Sequence, residues 1–145
     1  MKTASSKIDL LRSVPGLTAL GRRDLARLAP LFDDVQVDAG TVLVREGQST
    51  RELLLIVEGW AALTRGGEPS GALGPGEFLG ETSILDHADH TATATAQTPM
   101  RVLLAGRESF GSLRSDPDVL RQIALSLAGR LRSYEAPQST AGTAA

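Results

Sequence analysis

Leucines recur at spacings near three and four through Leu17, Leu20, Leu25, Leu28 and Leu31, lining up one apolar stripe on a helical surface. Leu10 and Leu11 precede a Val14-Pro15-Gly16 break, and Gly21 and Pro30 interrupt the leucine stripe itself. The pattern therefore predicts short helical pieces rather than one rod. At Val35 the period changes. Val35, Val37, Thr41, Val42, Leu43 and Val44 are β-branched or aliphatic, and Asp38-Ala39-Gly40 reads as a turn between them. After a second turn signal, Glu46-Gly47-Gln48-Ser49, the unbroken run Leu53-Leu54-Leu55-Ile56-Val57 predicts a buried strand that stops at Glu58-Gly59. Trp60 to Thr64 predicts another strand, with Arg65-Gly66-Gly67-Glu68-Pro69 as its hairpin turn. Thr91 to Ala96 alternates with period two, and Met100 to Ala105 is a further apolar strand. The alternation makes one face of the Thr/Ala strand look inward without saying which.

The helical pattern then returns. Arg107 to Leu113 is a short segment, and Asp116-Pro117-Asp118 is a start signal: an N-cap acid, Pro in the first turn, and a second acid near the positive helix end. Leu120, Ile123, Leu127 and Leu131 line one face of this last helix, up to about Ser133. Residues 135–145, EAPQSTAGTAA, are small, polar and non-periodic, and are expected to form a disordered tail. Short strands separated by Gly-containing turns and flanked by helices indicate a β-sandwich or barrel rather than alternating β/α units.

Composition narrows the function classes. The 145 residues suffice for one domain with a core. A formal net charge of -2, with scattered arginines, argues against a dedicated nucleic-acid binder. Three phenylalanines, one tyrosine and one tryptophan are too few for a base-stacking surface. The absence of cysteine removes disulfides and thiolate metal sites. No apolar run reaches the roughly 18 residues of a membrane span, and the N-terminal stretch lacks the core of a signal peptide. The expectation is a cytoplasmic protein with no membrane association.

The order of helices, many short strands and a long last helix gains specificity from the residues at the turns. AGTVLVREGQSTRELLLIVEGWAAL, with Gly40, Glu46-Gly47 and Gly59 at its turns, resembles the opening half of a cyclic nucleotide-binding domain. GPGEFLGETSIL resembles the start of that family's phosphate-binding cassette, and DPDVLRQIALSLAGRLR its closing helix. The resemblance runs from Ile8 to Tyr134 and sets the expected domain at residues 8–134. It implies a mainly β fold: an eight-stranded jelly-roll sandwich with short N-terminal helices and a C-terminal closing helix. It further implies a regulatory module that binds cAMP or cGMP, performs no catalysis, needs no cofactor and signals to a protein partner. In dimeric members of the family the closing helix pairs with its symmetry mate, so the resemblance also allows a homodimer.

The resemblance assigns ligand contacts to Gly80, Glu81, Thr82, Ser83, His90 and Thr91. Glu81 matches the family's ribose-binding acid, and a carboxylate suits a sugar hydroxyl as a charge-assisted acceptor. Gly80 lets the backbone approach the ligand, and a helical turn begun by Thr82 and Ser83 aims N–H groups at the phosphate. The alternative is an ordinary Gly turn with a solvated acid. The family's phosphate anchor is an arginine ten residues after the glycine matching Gly80. Here that position is His90. Arginine offers a fixed fork of donors and a permanent charge, whereas a free imidazole has a pKa near 6.5 and one or two donors. Losing a charge-assisted pair costs about 1.5–3 kcal/mol, roughly ten- to a hundred-fold in affinity. Asp86 and Asp89 further oppose a phosphate, while Thr91 keeps a hydroxyl beside it. The substitution leaves two readings: a weak cyclic nucleotide binder, or a scaffold that has lost the ligand and kept the fold for protein interaction.

DHADH, residues 86–90, holds both histidines of the chain and has metal-ligand spacing in His87-x-x-His90. A zinc enzyme would need a third ligand, and neither a further histidine nor a cysteine is present. Metal-dependent catalysis is therefore a remote alternative, and no metal is expected. A transcription factor would need a helix-turn-helix after the closing helix, so direct DNA binding is not expected.

Overall fold

A computed structural model of the chain describes residues 4–14, 20–48, 51–80, 89–118 and 120–121. The run Leu53-Leu54-Leu55-Ile56-Val57 forms strand β3, Leu53–Glu58, and its unbroken apolar character has a direct cause. Leu53 and Leu55 face a layer of helices, while Leu54 and Ile56 face a second sheet, and all four are at most 5% exposed. Strand β8, Met100–Ala105, behaves alike, with Leu103 and Ala105 toward the helices and Met100 and Val102 toward the other sheet. Each such fully buried aliphatic side chain contributes about 1.5–3 kcal/mol.

Six further strands complete the two sheets among the described residues: β1 (Asp33–Val37), β2 (Val42–Val44), β4 (Ala61–Arg65), β5 (Glu68–Leu73), β6 (Phe78–Leu79) and β7 (Thr93–Ala96). One sheet runs β1-β8-β3-β6 and the other β2-β7-β4-β5, every neighbouring pair being antiparallel. This is the expected eight-stranded jelly-roll sandwich. The Thr/Ala alternation resolves with Ala94 and Ala96 inward, 0% and 2% exposed, and the threonines on the outer face.

The helical layer comprises α1 (Ala4–Ser13), α2 (Arg22–Leu28) running into a 3-10 turn at Ala29–Leu31, and α3 (Arg107–Arg114). Gly21 caps α2 and Pro30 lies in the 3-10 turn, so the interruptions fall where the pattern placed them. Leu11, Leu25, Leu28, Phe32 and Leu113 carry this layer onto the outer face of β3 and β8. After α3, Asp116 accepts the backbone N–H of Asp118 at 3.0 Å on its Oδ1, and its carbonyl accepts from Leu120, which starts the last helix as expected. The continuation of that helix and the C-terminal tail lie outside the described residues.

Gly59 joins β3 to β4 at a φ of +92°. A Cβ there would stand 2.5 Å from the carbonyl oxygen of Pro99 and 2.8 Å from Cγ of Met100, so only glycine fits both the dihedral and the space. Among the described residues, no helix is long and apolar enough to cross a membrane.

Candidate functional site

The turn leading into the candidate site is built from its own polar groups. Glu77 accepts the N–H of Gly74 on Oε2 at 2.8 Å, Gly76 donates to the carbonyl of Ile56 at 2.9 Å, and Ile56 donates to the carbonyl of Glu77 at 3.0 Å. The acid of GPGE is thus structural. β6 comes next, and Gly80 ends it at a φ of +86°. A Cβ on Gly80 would run into the carbonyl oxygen of Glu52, the residue before β3. The glycine therefore lets the chain turn off the sheet in direct contact with the strand beside it.

Glu81, Thr82 and Ser83, assigned to ribose and phosphate by the resemblance, lie outside the described residues, as do Asp86 and His87 of the histidine loop. The chain is described again from Asp89. His90 is 5% exposed, the one buried polar or charged residue among those described. Its backbone makes two bonds to the turn before β3: its N–H donates to Gln48 O at 2.9 Å, and its carbonyl accepts from Gly47 N at 2.9 Å. The acid-Gly turn at Glu46-Gly47 is therefore a clamp for residue 90. Thr91 is exposed. Thr93, two residues on, accepts the N–H of Glu46 on Oγ1 at 3.0 Å, tightening the same clamp.

One neighbour of this segment has no signal in the sequence. Arg65, the last residue of β4, donates from Nε to the carbonyl oxygen of Thr91 at 3.1 Å. By sequence it is a hairpin residue, and only the pairing of β4 with β7 brings it next to the histidine segment. The hairpin is held in turn by Glu46, whose Oε1 accepts the N–H of Gly66 at 2.9 Å. Among the described residues, no group of three or more His, Cys, Asp or Glu side chains is arranged to hold a metal ion.

Comparison with known proteins agrees with this architecture. Residues 34–116 match the family model described as the cyclic nucleotide-binding domain. Over 105 residues, 71% of the chain, the sequence is 31% identical to a cAMP-dependent protein kinase regulatory subunit of Yarrowia lipolytica and covers 28% of it. The chain spans only 23% to 28% of the length of such fungal kinase subunits. Among solved structures, the regulatory subunit of a cAMP-independent protein kinase A from Trypanosoma brucei superposes with a TM-score of 0.75 over 94% of this chain and 49% of that one, at 22% identity. The N-terminal domain of a transcriptional regulator from Streptomyces coelicolor superposes with a TM-score of 0.64 at 30% identity, over 86% of this chain and 94% of that one. With its sandwich, its glycine-marked turns and a family match across more than half its length, the chain belongs to the cyclic nucleotide-binding domain family.

Proposed function

We propose that this domain, set at residues 8–134, is a regulatory module that binds a cyclic nucleotide, cAMP or cGMP, weakly and passes the change to a protein partner without performing chemistry. The observation that carries the reading is the fixing of both ends of the ligand segment. Gly80 is seated against the carbonyl of Glu52, and His90 is buried and clamped by Gly47 and Gln48. Fixing the two flanking residues to the sandwich lowers the ordering cost of binding an anion between them. Within it, Gly80, Glu81, Thr82, Ser83, His90 and Thr91 contact the nucleotide, with Glu81 on the ribose and His90 and Thr91 at the phosphate. The histidine makes the affinity low, because an imidazole lacks the fork and the permanent charge of a guanidinium.

Thermal unfolding with and without cAMP or cGMP tests this directly. A ligand that binds only the folded state stabilises it by mass action, about 2.7 kcal/mol at a hundred times Kd. An unmoved transition with both nucleotides at millimolar concentration rejects the reading.

A second reading is an interaction module that keeps the fold without the ligand. It is favoured by the histidine at residue 90, and by the similarity in fold to a kinase regulatory subunit described as cAMP-independent. Its positive test is recovery of a defined partner complex whose affinity is unchanged by nucleotide.

A further inference from the structure

The pairing of β4 with β7 is regular from Ala61↔Ala96 to Thr64↔Thr93. Side chains alternate along such a strand, so Arg65 lies on the same face of β4 as Ala61 and Leu63, the face that packs against the interior of the sandwich. It stands at the end of the strand, beside the point where the histidine segment enters β7. Its Nε is held by the carbonyl of Thr91, the residue after His90. That bond uses one of the five N–H donors of the guanidinium and fixes its plane. Ion pairs among the described residues belong to Arg27 and Arg101, and none involves Arg65. The acid closest in the hydrogen-bond network, Glu46, accepts from the Gly66 N–H with one of its oxygens.

We propose that Arg65 is the cationic anchor for the ligand's phosphodiester, supplying from β4 the permanent charge that the ligand segment lacks at His90. The inference rests on the cyclic nucleotide reading and adds the residue that makes it electrostatically workable. A phosphodiester is a singly charged anion at every physiological pH, and a guanidinium that is oriented in advance binds it through charge-assisted bonds without a large ordering cost. Arg65 is exposed and outside the core, so this role is separable from folding.

The test is titration calorimetry with cAMP on the wild-type chain, Arg65→Gln and Arg65→Lys, each at low and high NaCl, with thermal midpoints as a folding control. Arg65→Gln is expected to weaken cAMP at least tenfold at low salt, to flatten the salt dependence, and to leave the thermal midpoint in place. Arg65→Lys is expected to recover part of the affinity and most of the salt dependence. Wild-type binding with Arg65→Gln within twofold overturns the role of Arg65 and leaves the nucleotide reading intact. Weaker binding by Arg65→Gln with an unchanged salt slope also overturns it, since the side chain then only shapes the backbone at Thr91. If the wild-type chain binds neither cAMP nor cGMP, the nucleotide reading itself fails and this assignment falls with it.

Discussion

Arg27 on α2 joins the two helical ends of the chain: its Nη2 lies 3.1 Å from Oδ2 of Asp116 and 3.4 Å from Oδ2 of Asp118. Asp24, one turn back on α2, faces the same guanidinium at 3.6 Å. Asp116 also caps the last helix through the N–H of Asp118. A single carboxylate thus starts one helix and fastens it to another.

The bridge and the cap can be separated by substitution. Arg27 is half exposed, so Arg27→Ala is expected to cost about 0.5–1 kcal/mol. Asp116→Asn keeps the cap and should match it, while Asp116→Ala loses both and should cost about 1 kcal/mol more. Urea unfolding followed by the fluorescence of Trp60, the chain's one tryptophan, reads these differences. Equal losses for Asp116→Asn and Asp116→Ala would show that the cap contributes nothing.

A second ion pair sits in a less forgiving place. Arg101 on β8 grips Asp34 on β1 with two bonds, Nε at 3.0 Å and Nη2 at 2.8 Å, and the side chains are 17% and 6% exposed. Arg101→Met strips a nearly buried carboxylate of this bidentate partner, and a loss of about 3 kcal/mol is expected. The double variant Arg101→Met with Asp34→Leu should regain part of it, because the nearly buried carboxylate is removed together with its partner. Urea unfolding of the single and double variants decides, and a double variant less stable than Arg101→Met contradicts the account.

Gly80→Ala is expected to cost about 2 kcal/mol or more. The new methyl group meets the carbonyl of Glu52 in a left-handed backbone that alanine disfavours, and neither β3 nor β6 can withdraw without losing core contacts. Denaturant unfolding checks it. A loss below about 0.5 kcal/mol, within the usual range for a neutral surface change, would mean the turn is free to relax.

Elements whose composition carries their environment were legible in the sequence, and those defined by a neighbour were not. The five-residue apolar run predicts β3 because burial on both faces demands it. The Asp116 start and the interruptions at Gly21 and Pro30 are local chemistry and fall as expected. Strand β5 gives no signal: Pro69 and Gly71 both disfavour a strand, yet both are tolerated because β5 is the edge of its sheet. β6 has only two residues, too few to show a period. Near the candidate site, the turn glycines were readable through the family resemblance. Arg65 was not, since its closeness to Thr91 spans 26 residues of chain and depends on strand pairing.

At residue 90 the charge is conditional, because an imidazole carries one only when it is protonated, whereas a guanidinium carries it always. A phosphodiester beside it favours the charged form, so binding takes up a proton, and cAMP affinity is expected to rise as pH falls from 8 to 6. His90→Arg replaces a conditional charge with a permanent one and a single donor pair with a fork. It should tighten cAMP at least tenfold at pH 8 and remove the pH dependence, while Glu81→Ala abolishes binding through loss of the ribose acceptor. The two effects of His90→Arg are linked, because both come from the same proton. Titration calorimetry of the wild type and both variants at pH 6 and pH 8 measures them. Wild-type affinity that is equal or weaker at pH 6 rejects His90 as a phosphate contact, and leaves its burial and its clamp to Gly47 and Gln48 as a purely structural arrangement.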